Sequence, residues 1–254
     1  LRLFNLEVSG RGTLGVPLLF FLTALVLASP PTPAHSASPP SPSASSPVTT
    51  VIIDDFEAGL SPKWEIKSFV GETSYEVVSD GDNRVLKAHT EGRASGLVYK
   101  LKLELDEFPV LVWRWKVEGV FEDGDARVKS RDDYPARVYV VFPGWIPLFT
   151  RSINYIWANK LPKGESLPST FNSNSIMVAL QSGNDRAGEW VTERRNVVED
   201  YKKLFGTSPQ KISAIAIMTD ADQTGATATA YYDDLRFESA IGGSVPLDTG
   251  AAKR

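Results

Sequence analysis

Apolar and polar positions alternate with a period of two through much of the chain, most strongly between Val110 and Phe142. In the run Val110 to Val117 (VLVWRWKV), Leu111, Trp113, Trp115 and Val117 share one face and Val112, Arg114 and Lys116 the other, because successive strand side chains point to opposite sides. In the run ending at Phe142, Ala136, Val138, Val140 and Phe142 face the core and leave Arg137 and Tyr139 opposite. Between the two lies a loop carrying Glu122, Asp123, Asp125, Arg131, Asp132 and Asp133. Strand, charged loop, strand predicts a hairpin. Such a hairpin would gather Arg114, Lys116, Arg137 and Tyr139 into a basic, partly aromatic patch with Asp132 and Asp133 at its rim. Trp113 and Trp115, in phase with Leu111 and Val117, are assigned to the core.

Further strands are predicted on both sides of this stretch. Val51 to Phe56, Trp64 to Val70, Ser74 to Val78, Arg84 to Ala88 and Leu97 to Leu105 precede it, with DGDN at Asp80 to Asn83 as a turn. Ser152 to Ala158, Ser175 to Gln181, Glu189 to Thr192, Lys211 to Met218 and Ala228 to Phe237 follow. One helix is signalled: Asn196 and Glu199 form a cap, Val198, Tyr201 and Phe205 recur at helical spacing, and Gly206 marks the stop. Strands at this spacing with one short helix predict an all-β, two-sheet antiparallel β-sandwich, a jelly roll.

The two ends read differently. Arg2 and Arg11 precede the apolar run Gly15 to Ala28, and small residues follow, the order of a secretory signal peptide. The run is shorter than the roughly 20 residues of a membrane span, so cleavage is expected rather than an integral span in the mature chain. Residues 1–36 are assigned to the signal peptide and 37–50 to a Pro/Ser-rich linker, a composition that begins at Ser29. Residues 51–239 form the β-sandwich domain, and the Gly-rich stretch 240–254 reads as a disordered tail. Export to the periplasm or the extracellular space is the expectation.

Composition narrows the chemistry. The chain has no cysteine, which excludes disulfides, thiolate metal sites and cysteine nucleophiles, so its core must rest on six Trp, twelve Phe and eight Tyr. A net charge of −4 argues against a nucleic-acid partner. Outside the leader and linker the only histidine is His89, which stands at the end of an ordinary strand with no nucleophile elbow nearby. The acidic residues offer more. Asp233 is in phase with Leu235 and Phe237, and Asp54 with Ile52 and Phe56, so both terminal strands would turn a carboxylate inward. Neighbouring first and last strands could bring Asp54 and Glu57 beside Asp233 and Asp234, an all-oxygen set suited to a structural calcium. The alternative is that these residues cap strand ends or pair with Arg236. Asp220, Asp222, Thr224 and Gly225 have the opening spacing of a calcium loop, but the twelfth position is Tyr231, so an EF-hand is rejected and a weak cation site stays open.

The runs WRWKV, DDYPARVYVVF, RRNVVEDYKKLFG and IAIMTDADQTGATATAYYDDLRF resemble a bacterial exported family catalogued as domain of unknown function 3047, across residues 51–239. That resemblance brings no activity and no catalytic residues with it. DDFEAG near the start and YYDDLRF near the end resemble jelly-roll carbohydrate-binding modules, which implies a galactose-binding-like fold and a calcium near the terminal strands. The leading expectation is non-catalytic binding of an acidic glycan or other cell-envelope ligand by Arg114, Lys116, Asp132, Asp133, Arg137 and Tyr139, since guanidinium matches a carboxylate bidentately. Internal pairing of the arginines with Asp132 and Asp133 is the rival account of the same residues. Two other functions stay open: a glycoside hydrolase or polysaccharide lyase on the same fold, and a structural envelope protein that binds another protein.

Overall fold

A computed structural model describes residues 48–240. Their thirteen strands, and one helix, form two stacked sheets. The first sheet holds β1 (Thr50–Asp54), β3 (Ser74–Asp80), β4 (Asn83–Glu91), β6 (Val110–Val117), β11 (Val191–Asn196) and β13 (Thr227–Glu238). Its order is β11-β6-β13-β4-β3, and β1 also pairs with β13. The second sheet runs β2-β5-β12-β7-β8-β10-β9. Here β2 is Trp64–Val70, β5 Ala94–Glu104, β7 Ala136–Phe142, β8 Arg151–Ala158, β9 Ser166–Pro168, β10 Ser175–Ser182 and β12 Lys211–Asp220. Every pair is antiparallel except β8 with β10. The predicted two-sheet sandwich is therefore present, with one parallel pair inside the second sheet.

The sheets are held by aromatic rings that meet between them. Trp113 and Trp115, both on the inner face of β6, are fully buried, as the period-two pattern requires. Trp113 lies 5.4 Å from Tyr155 and Trp115 lies 6.0 Å from Trp157, ring to ring, so β6 of one sheet interlocks with β8 of the other. Each of these four side chains carries a polar atom, and three of those atoms have partners inside the protein. Trp115 Nε1 donates to Glu193, Trp157 Nε1 to the Gly183 carbonyl, and Tyr155 Oη to Asp200. Burial raises the pKa of Glu193 despite its hydrogen bond from Gln181.

The predicted helix is present as α1 (Val197–Phe205). The Asn196 side chain accepts from the Val198 and Glu199 N–H groups, and Gly206, at φ 73°, takes the left-handed conformation that ends the helix. The helix closes one end of the core by setting Tyr201 against Phe142, with ring centroids 4.5 Å apart. Its Asp200 reaches back to Arg195 and Tyr155.

The two ends of the domain leave side by side. Ser239 N–H donates to the Thr49 carbonyl, and Thr49 N–H donates to the Ser239 hydroxyl. Residues 48–240 form a compact unit with its own core. The leader lies outside the described residues, as does most of the linker and of the tail. Among the described residues no helix is long and apolar enough to cross a membrane.

Two substitutions test this packing. Trp115→Ala should cost about 3–5 kcal/mol in urea unfolding, the range for emptying a buried aromatic site. Asn196→Ala should cost about 1 kcal/mol through the lost cap.

Candidate functional site

The predicted hairpin does not form. β6 pairs with β11 and β13 in the first sheet, whereas β7 pairs with β8 and β12 in the second. The chain between them crosses from one layer to the other. Arg114 and Lys116 therefore stand on the outer face of the first sheet, and Arg137 and Tyr139 on the outer face of the second. The single patch expected from the alternation is two separate clusters.

The first cluster is open. Arg114, a quarter exposed, contacts Asp233 through Nη2 and Nε, the latter at 3.0 Å, and its Nε also lies 3.1 Å from Asp234. Lys116 Nζ is 3.5 Å from Asp80. Both cations also lie over the ring of Trp190, Arg114 Cζ at 4.7 Å and Lys116 Nζ at 4.9 Å from its centroid. Trp190 Nε1 donates to Asp80 at 2.6 Å. That hydrogen bond, with the charge of Lys116, lowers the Asp80 pKa. Tyr231 completes the group: its ring is 4.6 Å from Lys116 Nζ and 6.5 Å from Trp190, and its hydroxyl donates to Glu118. Local structure explains the convergence. Gly188, at φ 83°, donates to the Val117 carbonyl, and β11 begins with Val191 opposite Trp115, so Trp190, just before β11, lands beside Lys116. The same face continues over β4 and β3 into a shallow polar cleft of ≈ 110 Å³ among Ser74, Glu76, Lys87 and His89. His89 contacts Thr229 and Glu91 there.

The second cluster is closed. Arg137 is buried and bound to both oxygens of Asp220, to the Asp132 carbonyl and to the Tyr139 hydroxyl, with Tyr134 stacked 4.2 Å from Cζ. Asp132 accepts from Thr170, and Asp133 from the Gln223 and Thr224 N–H groups and the Thr224 hydroxyl. Asp133, Asp220 and Asp222 offer oxygens within 4.8 Å of one another. Burial pushes the Asp220 carboxyl up to about 7; Arg137 opposes the shift and Asp133 adds to it. Burial also raises the Tyr139 pKa. This cluster ties the charged loop after β6 onto the second sheet. Arginine and loop do pair, as the rival reading expected, but the carboxylate is Asp220, which reaches Arg137 because β12 lies beside β7.

The four carboxylates expected to share a calcium have partners within the protein, Asp233 and Asp234 sharing Arg114. Asp54 accepts from the Phe56 and Ser61 N–H groups and from Trp64 Nε1, while Glu57 accepts from the Arg84 N–H. Asp233 is held by Arg114 and Asn83. Among the described residues the group with metal-ligand spacing is Asp133, Asp220 and Asp222, not these four. The reason is a bulge at each strand. β13 shifts register between Asp233 and Arg236, with Asp234 at φ 55°, which turns Asp233 outward while Leu235 and Phe237 stay in the core. β1 shifts between Ile52 and Asp54, leaving Ile52 exposed and Ile53 buried. The first and last strands are nevertheless neighbours, as expected.

Alternation singles out none of Asp80, Trp190 and Tyr231. A strand-end aspartate before a turn and a tyrosine two positions before Asp233 are the only local signals that Asp80 and Tyr231 carry.

A family model described as protein of unknown function (DUF3047) matches residues 62–236. No curated protein matches the chain. Among solved structures it is similar to the family 11 carbohydrate-binding module of the cellulosomal cellulase Lic26A-Cel5E of Clostridium thermocellum, at 16% identity over 79% of this chain and 100% of that one, TM-score 0.43. It is also similar to the cellulose induced protein Cip1, at 11% identity over 78% and 100% of the two chains, TM-score 0.42.

Asp220 generates a pH prediction. Its pKa is higher folded, at about 7, than the ordinary 3.8, so the folded protein holds a proton that the unfolded chain has lost between those values. Stability should therefore fall as pH rises through that window and level off above it. Urea midpoints measured across the window should show this slope, and Asp220→Asn should flatten it.

Proposed function

We propose that this chain, which belongs to the family described as protein of unknown function (DUF3047), binds a glycan without catalysis on the outer face of its first sheet. The observation that carries this reading is Trp190. Its ring is half-buried, its Nε1 is fixed by Asp80, and Arg114 and Lys116 are held against it. An aromatic plane set among fixed donors and acceptors matches a pyranose, which has an apolar face and a rim of hydroxyls. Tyr231, Lys87 and the cleft at His89 extend the polar surface over neighbouring strands.

The charges favour hydroxyl recognition. Arg114 is matched by Asp233 and Asp234, and Lys116 by Asp80, so an acidic ligand would have to displace a carboxylate already in place. A neutral glycan can instead bridge the paired groups. Hydrolysis would call for two free carboxylates flanking the ligand, whereas Asp233 and Asp80 are engaged with Arg114, Asn83, Trp190 and Lys116. Export, expected from the leader, would place the domain where polysaccharides are met.

Affinity electrophoresis and calorimetry against neutral and acidic oligosaccharides test the proposal. Trp190→Ala should weaken the best neutral ligand by about tenfold or more, corresponding to about 1.4 kcal/mol or more, with little change in thermal stability. Binding that survives Trp190→Ala, or a panel without any ligand, would reject it.

A further inference from the structure

We infer that the loop between β7 and β8 is a docking element for a lipid surface bearing anionic headgroups. The site is separate from the Trp190 face. Within five consecutive residues, Trp145 is 83% exposed, Leu148 72%, Phe149 48% and Ile146 37%. A cluster of large apolar side chains left in water marks an interaction surface rather than ordinary surface scatter.

The loop has a defined shape. Trp145 and Phe149 stack with ring centroids 5.3 Å apart and planes 18° from parallel. Phe149 N–H donates to the Ile146 carbonyl, and Asn174 Nδ2 holds the Leu148 carbonyl from the neighbouring loop. A Cβ at Gly144 would lie 2.3 Å from the Phe149 carbonyl carbon, so the chain doubles back closely enough that only glycine fits there. The apolar side chains are thus presented by a turn whose backbone is tied in place.

Two features select a bilayer. The first is composition: a sugar stacks on aromatic rings but gains little from exposed Leu148 and Ile146, whereas the interfacial region of a membrane accepts Trp, Phe, Leu and Ile together. The second is charge. Trp145 and Gly144 line a cleft of ≈ 440 Å³ with Lys102 and Lys211, both exposed. Neither lysine has an ion-pair partner among the described residues. Glu104 faces Lys211 only in strand register. Two unpaired ammonium groups beside a tryptophan suit anionic headgroups above an apolar layer.

The test uses the chain from Ala44 onward, which excludes the apolar leader run. Vesicles of phosphatidylcholine alone, and of phosphatidylcholine with phosphatidylglycerol, are sedimented with the protein. A parallel fluorescence measurement uses phosphatidylcholine with brominated acyl chains in the anionic mixture. Trp64, Trp113, Trp115 and Trp157 are buried and the partly exposed Trp190 stands on the first sheet, away from this loop, so acyl-chain quenching reports chiefly on Trp145. The expected result is sedimentation with the anionic vesicles and quenching that disappears in Trp145→Phe. Lys102→Gln and Lys211→Gln should each weaken binding about fivefold, and the double variant Trp145→Ser, Leu148→Ser should abolish it. Absence of sedimentation, or quenching that persists in Trp145→Phe, would overturn the inference. So would a concentration-dependent dimer, or oligosaccharide binding without vesicle binding, that the serine variant removes. Loss of glycan binding in Trp190→Ala bears only on the other face, so the two proposals fail separately.

Discussion

The contact between β6 and β8 is the constraint on which the rest of this sandwich depends. Trp113 and Trp115 from one sheet meet Tyr155 and Trp157 from the other, and nothing covalent supplements them in a chain without cysteine. Because the rings are large, they set the spacing of the layers; because their polar atoms are buried, they also dictate which polar groups come inside. Glu193 is drawn partly inside and Asp200 is buried to meet that need, and Arg195 comes in to balance Asp200. The aromatic core thus determines how β11 and α1 must dock.

The two faces of β6 divide the labour. Its inner face locks the sheets, while its outer face, in the same eight residues, presents Arg114 and Lys116 to Trp190. A ligand bound there would rest on a strand whose other side is immobilised by packing, an arrangement that fixes side chains more firmly than a free loop does. The aromatic turn after β7 differs, being held by two backbone carbonyl contacts and a stacked ring pair, with its apolar groups in solvent.

Much of the fold was legible from alternation. The inward tryptophans, the DGDN turn and the capped helix all followed from local pattern, because each is decided by neighbours a few residues apart, whereas the pairing of first with last strand followed from the jelly-roll architecture. The site was less legible. Arg114 and Arg137 have the same local signature, a cation opposite apolar neighbours, yet one is open and the other buried. What separates them is the layer to which each strand crosses, which no local period encodes. Asp233 failed for a narrower reason: one extra residue at Asp234 reverses the side to which everything before it points, and a period-two reading cannot detect an insertion that the chain absorbs as a bulge. Trp190 fell inside the predicted strand Glu189 to Thr192, but that run is only four residues long and β11 begins at Val191, so the alternation there carried too little phase to place its ring.

The side-by-side exit of the two ends has a mechanical meaning. Thr49 and Ser239 are joined at the open end of the antiparallel pair β1 and β13, so tension between the flanking segments would act on that pair from its end. The hydrogen bonds would be loaded one after another, as in a zipper, and not together, as in shear. β1, five residues long, would peel first, while the aromatic lock between the sheets bore almost none of the force. A domain suspended in this way yields at its attachment strand long before its core is disturbed.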